Sequence, residues 1–380
     1  MTSPVGLQRE TNQANRETRQ GFASFWEGAT FLPFDQPSRT DILVEEVWKV
    51  RQATLLGLGL KLSEKEPELY IESGLADSLT AYLRMSAKER RRITEYPPFR
   101  IWLKQSLRLA GRASNEAAAR REDLHRQLAE LARILGEFRV EGSDSTILSV
   151  EGTSIKVARY TVDPLLATAI PPSYNFPAKD AQPQLEAKTA YSLQLFLEAA
   201  DAALDRIHET WLPAYQDFAR FVRMIIHLPE ADFRSCSADR YAGVILLSAG
   251  DGSLLELEES LIHEYGHQIL YNVMELDPLI LNPSGGRYTL PWSGAERDLY
   301  GYFHAFYIYL LLVHYFERVG HRSETDRKRA SERMAHILAG LIQALPELGS
   351  ASHFTLRGKR LFALLQEDVQ RFQLKHQMSG

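Results

Sequence analysis

The longest uncharged apolar stretch of the chain is the feature that most constrains its fold. It runs from Leu299 to Phe316 and reads LYGYFHAFYIYLLLVHYF. A stretch of this length either crosses a membrane or forms a helix that is buried on all sides. Its two histidines, one glycine and five tyrosines favour a buried helix. We therefore expect no membrane partner, and a helical core large enough to enclose this segment.

Helical patterns dominate the rest of the sequence, which predicts a mainly α fold with a small β component (α+β). Apolar residues recur at helical spacing from Ile42 to Leu135, whereas residues around Glu151-Gly152 alternate in the manner of a β-hairpin. The expected organisation is a polar, loose N-terminal segment over 1–40, a helical region with a hairpin over 41–170, a proline-rich linker after Ile170, and a metal-binding catalytic region over 185–380.

Charge and cysteine content restrict the partners and the compartment. The net charge of -5 gives no basic surface for phosphates, so nucleic acid is not an expected partner. The single cysteine, Cys236, allows no intrachain disulfide and no thiolate-rich metal site. It is also typical of a reducing compartment. We expect a cytoplasmic protein.

A metal-binding motif lies in the stretch SLIHEYGHQIL, where His263, Glu264 and His267 have the order H-E-x-x-H. Residues four apart share one face of a helix, so both imidazoles can reach one ion. The motif follows a short apolar strand predicted from Tyr241 to Ala249. We expect this strand and the motif helix to form a zincin-like core.

A catalytic metal needs a third protein ligand. The segment LPWSGAERDLYGYFHAF offers two candidates, His304 and Glu296. If a helix begins near residues 291–293, Arg297 and His304 point the same way, with Tyr300 between them, and Glu296 lies to one side. A histidine in an apolar helix must find a partner, so His304 is the preferred third ligand. His314 of the same stretch is interpreted as an ordinary core histidine with a hydrogen bond.

Two kinds of enzyme chemistry remain open for such a site. In a zinc metallopeptidase, Glu264 is the general base and the strand Tyr241 to Leu247 holds the peptide by edge pairing. The metzincin continuation of the motif is absent, because His267 is followed by QILYNVMEL. In a non-haem Fe(II) enzyme that uses 2-oxoglutarate, an arginine such as Arg297 binds the carboxylate of the co-substrate.

The two blocks SADRYAGVILLSAGDGSLLELEESLIHEYGHQIL and LPWSGAERDLYGYFHAFYIYLLLV give the sequence a family resemblance. From Ser237 to Val313 the chain resembles the HExxH-type, 2-oxoglutarate- and iron-dependent peptide β-hydroxylases of ribosomal peptide natural-product (RiPP) biosynthesis. The positions of the second block that match the family are Pro291, Trp292, Arg297, Gly301 and His304. One departure is that Asp298 follows Arg297, where family members often have proline.

The resemblance implies that iron is held by His263, His267 and His304, and that a dioxygenase hydroxylates a β-carbon of a precursor peptide with O2 and 2-oxoglutarate. In that case Glu264 orients groups at the metal instead of activating water. Arg287 is a second candidate for the co-substrate carboxylate.

Two further interpretations concern the peptide. Trp292 and Tyr300 are candidates for lining a peptide-binding cleft. The non-enzymatic alternative is a peptide-binding module with a structural metal, in which Glu296 joins the three histidines in a closed site.

Overall fold

The computed structural model describes residues 37–111, 117–139, 147–159, 163–170, 182–228, 234–248, 253–281, 286–351 and 353–379. Most of the predicted N-terminal segment and of the proline-rich linker lies outside these ranges. The described chain is mainly helical with a small mixed sheet, which confirms the predicted fold class at that level. It divides into two compact units, one from residues within 44–197 and 222–248, the other from residues within 26–43, 198–221 and 249–380.

Helices make up most of the described chain before residue 222, and between Ile42 and Leu135 the apolar periodicity predicted them. They are α1 (Pro37–Lys65), α2 (Pro67–Glu72), α3 (Leu75–Leu83), α4 (Ala87–Glu95), α5 (Pro97–Gly111), α6 (Ala117–Arg139), α7 (Pro164–Ala169), α8 (Gln182–Thr210) and α9 (Leu212–Phe221). Proline occupies the first position of several of them, where its missing N–H costs no helical hydrogen bond.

The first unit contains a five-stranded sheet of order β1-β2-β3-β5-β4. Its strands are β1 (Leu148–Ser149), β2 (Lys156–Ala158), β3 (Met224–His227), β4 (Ser235–Cys236) and β5 (Val244–Leu247). The three central strands run parallel, and β1 and β4 are antiparallel edges. The antiparallel pair β1–β2 is the hairpin predicted around Glu151-Gly152. Ile226 and Leu246 pack in one buried cluster with Trp102 and Leu131 of the helices.

The predicted strand from Tyr241 to Ala249 is shorter in the structure. Residues Asp239–Tyr241 form a turn of 3-10 helix, and extended backbone covers only Val244–Leu247. The strand β5 pairs with β3 along its length and with β4 at Leu246 and Leu247. The expectation that this strand offers a free edge to a peptide is therefore wrong, because both neighbouring positions are occupied.

The second unit holds the motif, and its described residues are mainly helical, with one two-stranded ribbon. Its elements after residue 253 are α10 (Leu254–Leu276), β6 (Tyr288–Thr289), β7 (Glu296–Arg297), α11 (Leu299–Val319), α12 (Glu324–Ser350) and α13 (Leu356–Ser379). Helix α11 contains the long apolar stretch, and most of its side chains are buried against α10, α12 and α13. This confirms the prediction of a helix enclosed by protein. No helix in the described ranges has the length and apolar character needed to cross a bilayer.

Helix α11 does not begin near residues 291–293, as the sequence predicted, but at Leu299. Residues 290–294 form a turn in which the Gly294 N–H donates to the carbonyl oxygen of Leu290 and Gly294 has φ +69°. This turn joins β6 to β7. The side chain of Asp298 then caps the helix by accepting a hydrogen bond from the Gly301 N–H at 2.8 Å. Asp298 and the glycine turn therefore set the start of the helix.

Candidate metal centre

Helix α10 carries His263, Glu264 and His267, as the motif predicted. The two histidines are half-buried, and Glu264 is buried at 1% exposure. Gly266 lies between them and faces α11. A Cβ atom added at Gly266 would lie 3.0 Å from side-chain atoms of both Ile308 and Leu311. The absence of a side chain at residue 266 therefore lets α10 and α11 approach closely at the level of the motif.

His267 meets His304 of α11 across this contact. Their Nδ1 atoms are 3.3 Å apart and their ring centroids 5.6 Å apart. Two nitrogens that bind one ion at 2.0–2.1 Å in tetrahedral geometry are separated by about 3.4 Å. The spacing of the pair therefore fits two ligands of one metal ion as well as a hydrogen bond between the two rings.

The electrostatics of the pair also suit a metal. Burial lowers the pKa of His304 to about 3. Burial, together with the neighbouring His263 and His304, lowers the pKa of His267 well below its ordinary value. Both imidazoles are therefore neutral at neutral pH, which is the form that binds metals. The Nε2 atom of His304 is buried without a hydrogen-bond partner among the described residues.

His263 lies beside this pair but does not complete a three-ligand site with it. Its ring meets the His267 ring edge-on, with 5.2 Å between centroids. Within the described ranges, no group of three or more His, Cys, Asp or Glu side chains is arranged to hold a metal ion. The pair of His267 and His304 fits a metal, and a three-histidine site requires the His263 side chain to turn towards it.

Aromatic rings surround the three histidines. The Tyr300 ring lies 4.1 Å from the His304 ring, and Tyr271 contacts both His267 and His304 at 5.9 and 5.5 Å between centroids. Tyr309 meets His263 edge-on at 5.9 Å. Tyr271 and Tyr309 were not singled out from the sequence, although each lies within one or two helical turns of a predicted ligand. Tyr300, a predicted substrate-binding residue, is brought to the site.

Trp292, the other predicted substrate-binding residue, is connected to the histidines through Tyr309. Its ring stacks on that of Tyr309, with 4.2 Å between centroids, and its Nε1 donates to the carbonyl oxygen of Ile337 in α12 at 3.0 Å. The indole lies directly over Gly340. A Cβ atom at Gly340 would come within 2.6 Å of the Trp292 Cδ1 and Cε2 atoms.

We expect Gly340→Ala to displace Trp292 and to lower the free energy of unfolding by roughly 1–3 kcal/mol, because the new methyl group overlaps a packed ring. Urea unfolding monitored by tryptophan fluorescence measures this change. Gly349→Ala in the same helix is the matched control, since its Cβ would meet only Phe362 at 3.9 Å. Equal stability of the two variants would contradict this account of Trp292.

Neither arginine proposed for the co-substrate lies within helix α11. Arg287 precedes β6, and Arg297 belongs to β7, with its side chain against Gly301 in the first turn of α11. Arg297 precedes α11, is exposed, and donates from Nη1 to the carbonyl oxygen of Glu296. The expectation that Arg297 and His304 share one helix face is therefore wrong. Arg287 is 82% exposed and pairs with the Glu296 carboxylate at 2.8 Å. Glu296, the alternative third ligand, is thus engaged in an exposed ion pair.

Helix α10 is anchored on its other side by a buried carboxylate. Asp217 of α9 accepts a hydrogen bond from Thr40 Oγ1 at 2.8 Å and faces the hydroxyl of Tyr265, the residue after Glu264. Burial raises the pKa of Asp217 to about 6, above its ordinary value of 3.8. The folded protein thus binds a proton here at a pH where the unfolded chain does not.

This difference predicts a pH dependence of stability. A raised pKa in the folded state means that the contribution of Asp217 is favourable at low pH and is lost as the pH rises from about 4 to above 6. Asp217→Asn removes the titration and keeps an oxygen acceptor for Thr40. We expect the free energy of unfolding of the variant, relative to that of the wild type, to rise by about 2 kcal/mol from pH 4 to pH 7. Urea unfolding across this range measures it, and a pH-independent difference would refute the assignment.

His314 shows what an ordinary histidine of α11 does. Its Nε2 is hydrogen-bonded to the carboxylate of Asp368 in α13, and its ring packs against Phe372. The sequence interpretation of His314 as a satisfied core residue is confirmed. His304 lies on the same helix but is surrounded by another histidine and two tyrosines.

No protein-family model and no curated protein sequence matches this chain.

Proposed function

We propose that the protein is a non-haem Fe(II)- and 2-oxoglutarate-dependent dioxygenase that hydroxylates a β-carbon of a ribosomally made precursor peptide. The observation that supports this best is the 3.3 Å approach of His267 and His304, from two helices, with both imidazoles neutral. The H-E-x-x-H motif supplies His263 and Glu264 beside this pair. The part of the proposal that concerns peptides and 2-oxoglutarate depends on the family resemblance of residues 237–313.

The metal would be held by His267 and His304, with His263 as the third ligand after rotation of its side chain. When bound, Fe(II) supplies open positions for the 2-oxoacid and for oxygen. The tyrosines around the site exclude water from one side of the histidines, and they hold the imidazole rings by stacking. Glu264, buried beside His263, orients neighbouring groups by hydrogen bonding in this mechanism and activates no water.

The peptide would meet the site on its aromatic side. Tyr300 and Trp292 are partly exposed, and they present ring faces next to His304 and Tyr309. Flat aromatic surfaces bury apolar side chains of a peptide while keeping a hydrogen-bonding group at the rim. We propose that these two residues contact the peptide, in the cytoplasm where such precursors are made.

A zinc-dependent metallopeptidase is the alternative enzyme, and a peptide-binding module with a structural metal is the second alternative. The peptidase interpretation expected a free strand edge at β5, and that strand is paired on both sides. The closed-site interpretation needs Glu296 as a fourth ligand, and Glu296 pairs with Arg287. In this proposal the zincin-like core consists of the two helices that carry the histidines, α10 and α11.

An anaerobic absorption titration tests the proposal. We expect a weak visible charge-transfer band when Fe(II) and then 2-oxoglutarate are added to the purified protein, and loss of the band on exposure to oxygen. Zinc, a d¹⁰ ion, cannot produce such a band. If no band forms while zinc is retained through purification, the dioxygenase assignment fails, and peptide cleavage with Glu264 as general base becomes the next assay.

A further inference from the structure

Tyr309 of α11 contacts both His263 of the motif and Trp292, which we propose contacts the peptide. Its ring meets the His263 ring edge-on, with 5.9 Å between centroids and 82° between the ring planes. The same ring stacks with the Trp292 indole at 4.2 Å between centroids. Edge-on and stacked arrangements are the favourable geometries of aromatic pairs. Two direct ring contacts therefore connect His263 to Trp292 through Tyr309.

Helix α12 fixes the positions of Tyr309 and Trp292. The Arg333 guanidinium donates a hydrogen bond to the Tyr309 hydroxyl, and it is itself paired with Glu259 of α10 at 2.7 Å. The Trp292 Nε1 donates to the carbonyl oxygen of Ile337 at 3.0 Å. Each of the two rings thus has a polar anchor on α12 as well as its stacking partner, which restricts how far the Tyr309 ring can turn.

His263 is the histidine of the motif whose orientation differs from that of a ligand. Among the described residues it forms no three-ligand group with His267 and His304, although its ring is only 5.2 Å from the His267 ring. Ligation requires the His263 side chain to turn towards the pair, and such a turn gives up the edge-on contact with Tyr309. A contact made in one orientation only favours that orientation. The Tyr309 ring therefore favours the non-ligating orientation of His263.

We propose that Tyr309 is a positioning residue, which holds His263 out of the ligand position until a peptide engages Trp292. The inference rests on the proposed function, which supplies the metal and the peptide. A peptide side chain that packs on Trp292 displaces the indole from the Tyr309 ring, and His263 can then turn to join His267 and His304. The third ligand is thereby engaged only when the substrate is present.

Anaerobic calorimetric titration of the full-length protein with Fe(II) alone tests this role, because removing the restraint should strengthen metal binding without any peptide. We expect Tyr309→Leu and Trp292→Ala to raise the affinity for Fe(II) about two- to tenfold, which corresponds to the loss of one aromatic pair. Tyr309→Phe keeps the ring, so its affinity should stay close to that of the wild type. Tyr288→Leu, which removes a ring that stacks on Tyr302, is the matched control and should not change the affinity.

A double variant distinguishes an action through His263 from a general loosening of the fold. Tyr309→Leu should raise the affinity for Fe(II) only while residue 263 is a histidine. In a His263→Ala background the same substitution should have no effect, because the side chain that Tyr309 restrains is gone.

Chemical labelling of the metal-free protein reports on His263 directly. Diethyl pyrocarbonate modifies accessible imidazoles, and peptide mapping by mass spectrometry assigns the modification to His263. We expect the labelling rate of His263 to rise at least about twofold in Tyr309→Leu and in Trp292→Ala, because the ring loses its restraint. The rate should stay near that of the wild type in Tyr309→Phe and in Tyr288→Leu.

The outcomes separate the two proposals. An unchanged labelling rate in Tyr309→Leu, or an unchanged or lower affinity of this variant for Fe(II), would overturn the role of Tyr309. An increase in affinity that persists in the His263→Ala background would overturn it as well. Failure of the wild type to bind Fe(II) would overturn the proposed function, and labelling of the metal-free protein would still decide whether Tyr309 holds His263.

Discussion

His304→Ala should lower the affinity for Fe(II) by at least about a hundredfold, because even losing a hydrogen-bond partner of a ligand costs 10–100-fold in metal sites. The structure makes His304 the partner of His267 at 3.3 Å, whereas Glu296 lies on an exposed strand in an ion pair with Arg287. Glu296→Ala should therefore retain the metal. Metal content after gel filtration and anaerobic titration with Fe(II) measure both variants.

His314→Ala is a second control for this experiment. It removes a buried histidine from the same helix, along with its hydrogen bond to Asp368. We expect it to lower stability while leaving the affinity for Fe(II) unchanged. Loss of metal from Glu296→Ala with retention by His304→Ala would show that the ligand assignment is wrong, and it would strengthen the peptidase or closed-site alternatives.

Glu258→Gln should destabilise the fold by about 3–5 kcal/mol, because it removes the buried anion shared by two half-buried arginines, of which Arg206 keeps the Asp326 carboxylate at 2.7 Å. The Glu258 side chain is fully buried on α10. Its oxygens lie 2.6 Å from Arg206 Nε and 2.7 Å from Arg322 Nη1, and the Tyr315 hydroxyl donates to the same carboxylate. These contacts connect α10 to α8, to α11 and to the turn before α12.

Urea unfolding measures this effect, and Glu256→Gln supplies the matched control. Glu256 is exposed in the first turn of the same helix, so its substitution should change the free energy of unfolding by less than about 0.5 kcal/mol. A loss below 1 kcal/mol for Glu258→Gln would mean that the network contributes little to holding the motif helix in place.

Local features of the structure were readable from the sequence because they depend on neighbouring residues. The periodicity of the first half predicted its helices, and the alternation around Glu151-Gly152 predicted the β1–β2 hairpin. The spacing of His263 and His267 predicted the helix that carries them, α10. The uncharged stretch from Leu299 to Phe316 predicted a buried helix, because its apolar side chains lie all round the helix and leave no face for water.

The sequence did not predict correctly which of two possible residues begins helix α11. The segment from Pro291 to Ser293 has good helix-starting residues, and the prediction chose it. The structure instead uses Gly294 for a turn and Asp298 for the cap. The consequence is large, because it moves Arg297 off the helix face that carries His304.

The sequence by itself determined that two imidazoles and a carboxylate share one helix, and that a further histidine lies within a buried helix. Only the tertiary structure decided which groups meet them. Gly266 lets α10 and α11 come close, so His304 faces His267, and the packing of α12 brings Arg333 to Glu259. Spacing along a chain sets which side chains share a face, whereas contacts between distant segments depend on how the faces pack.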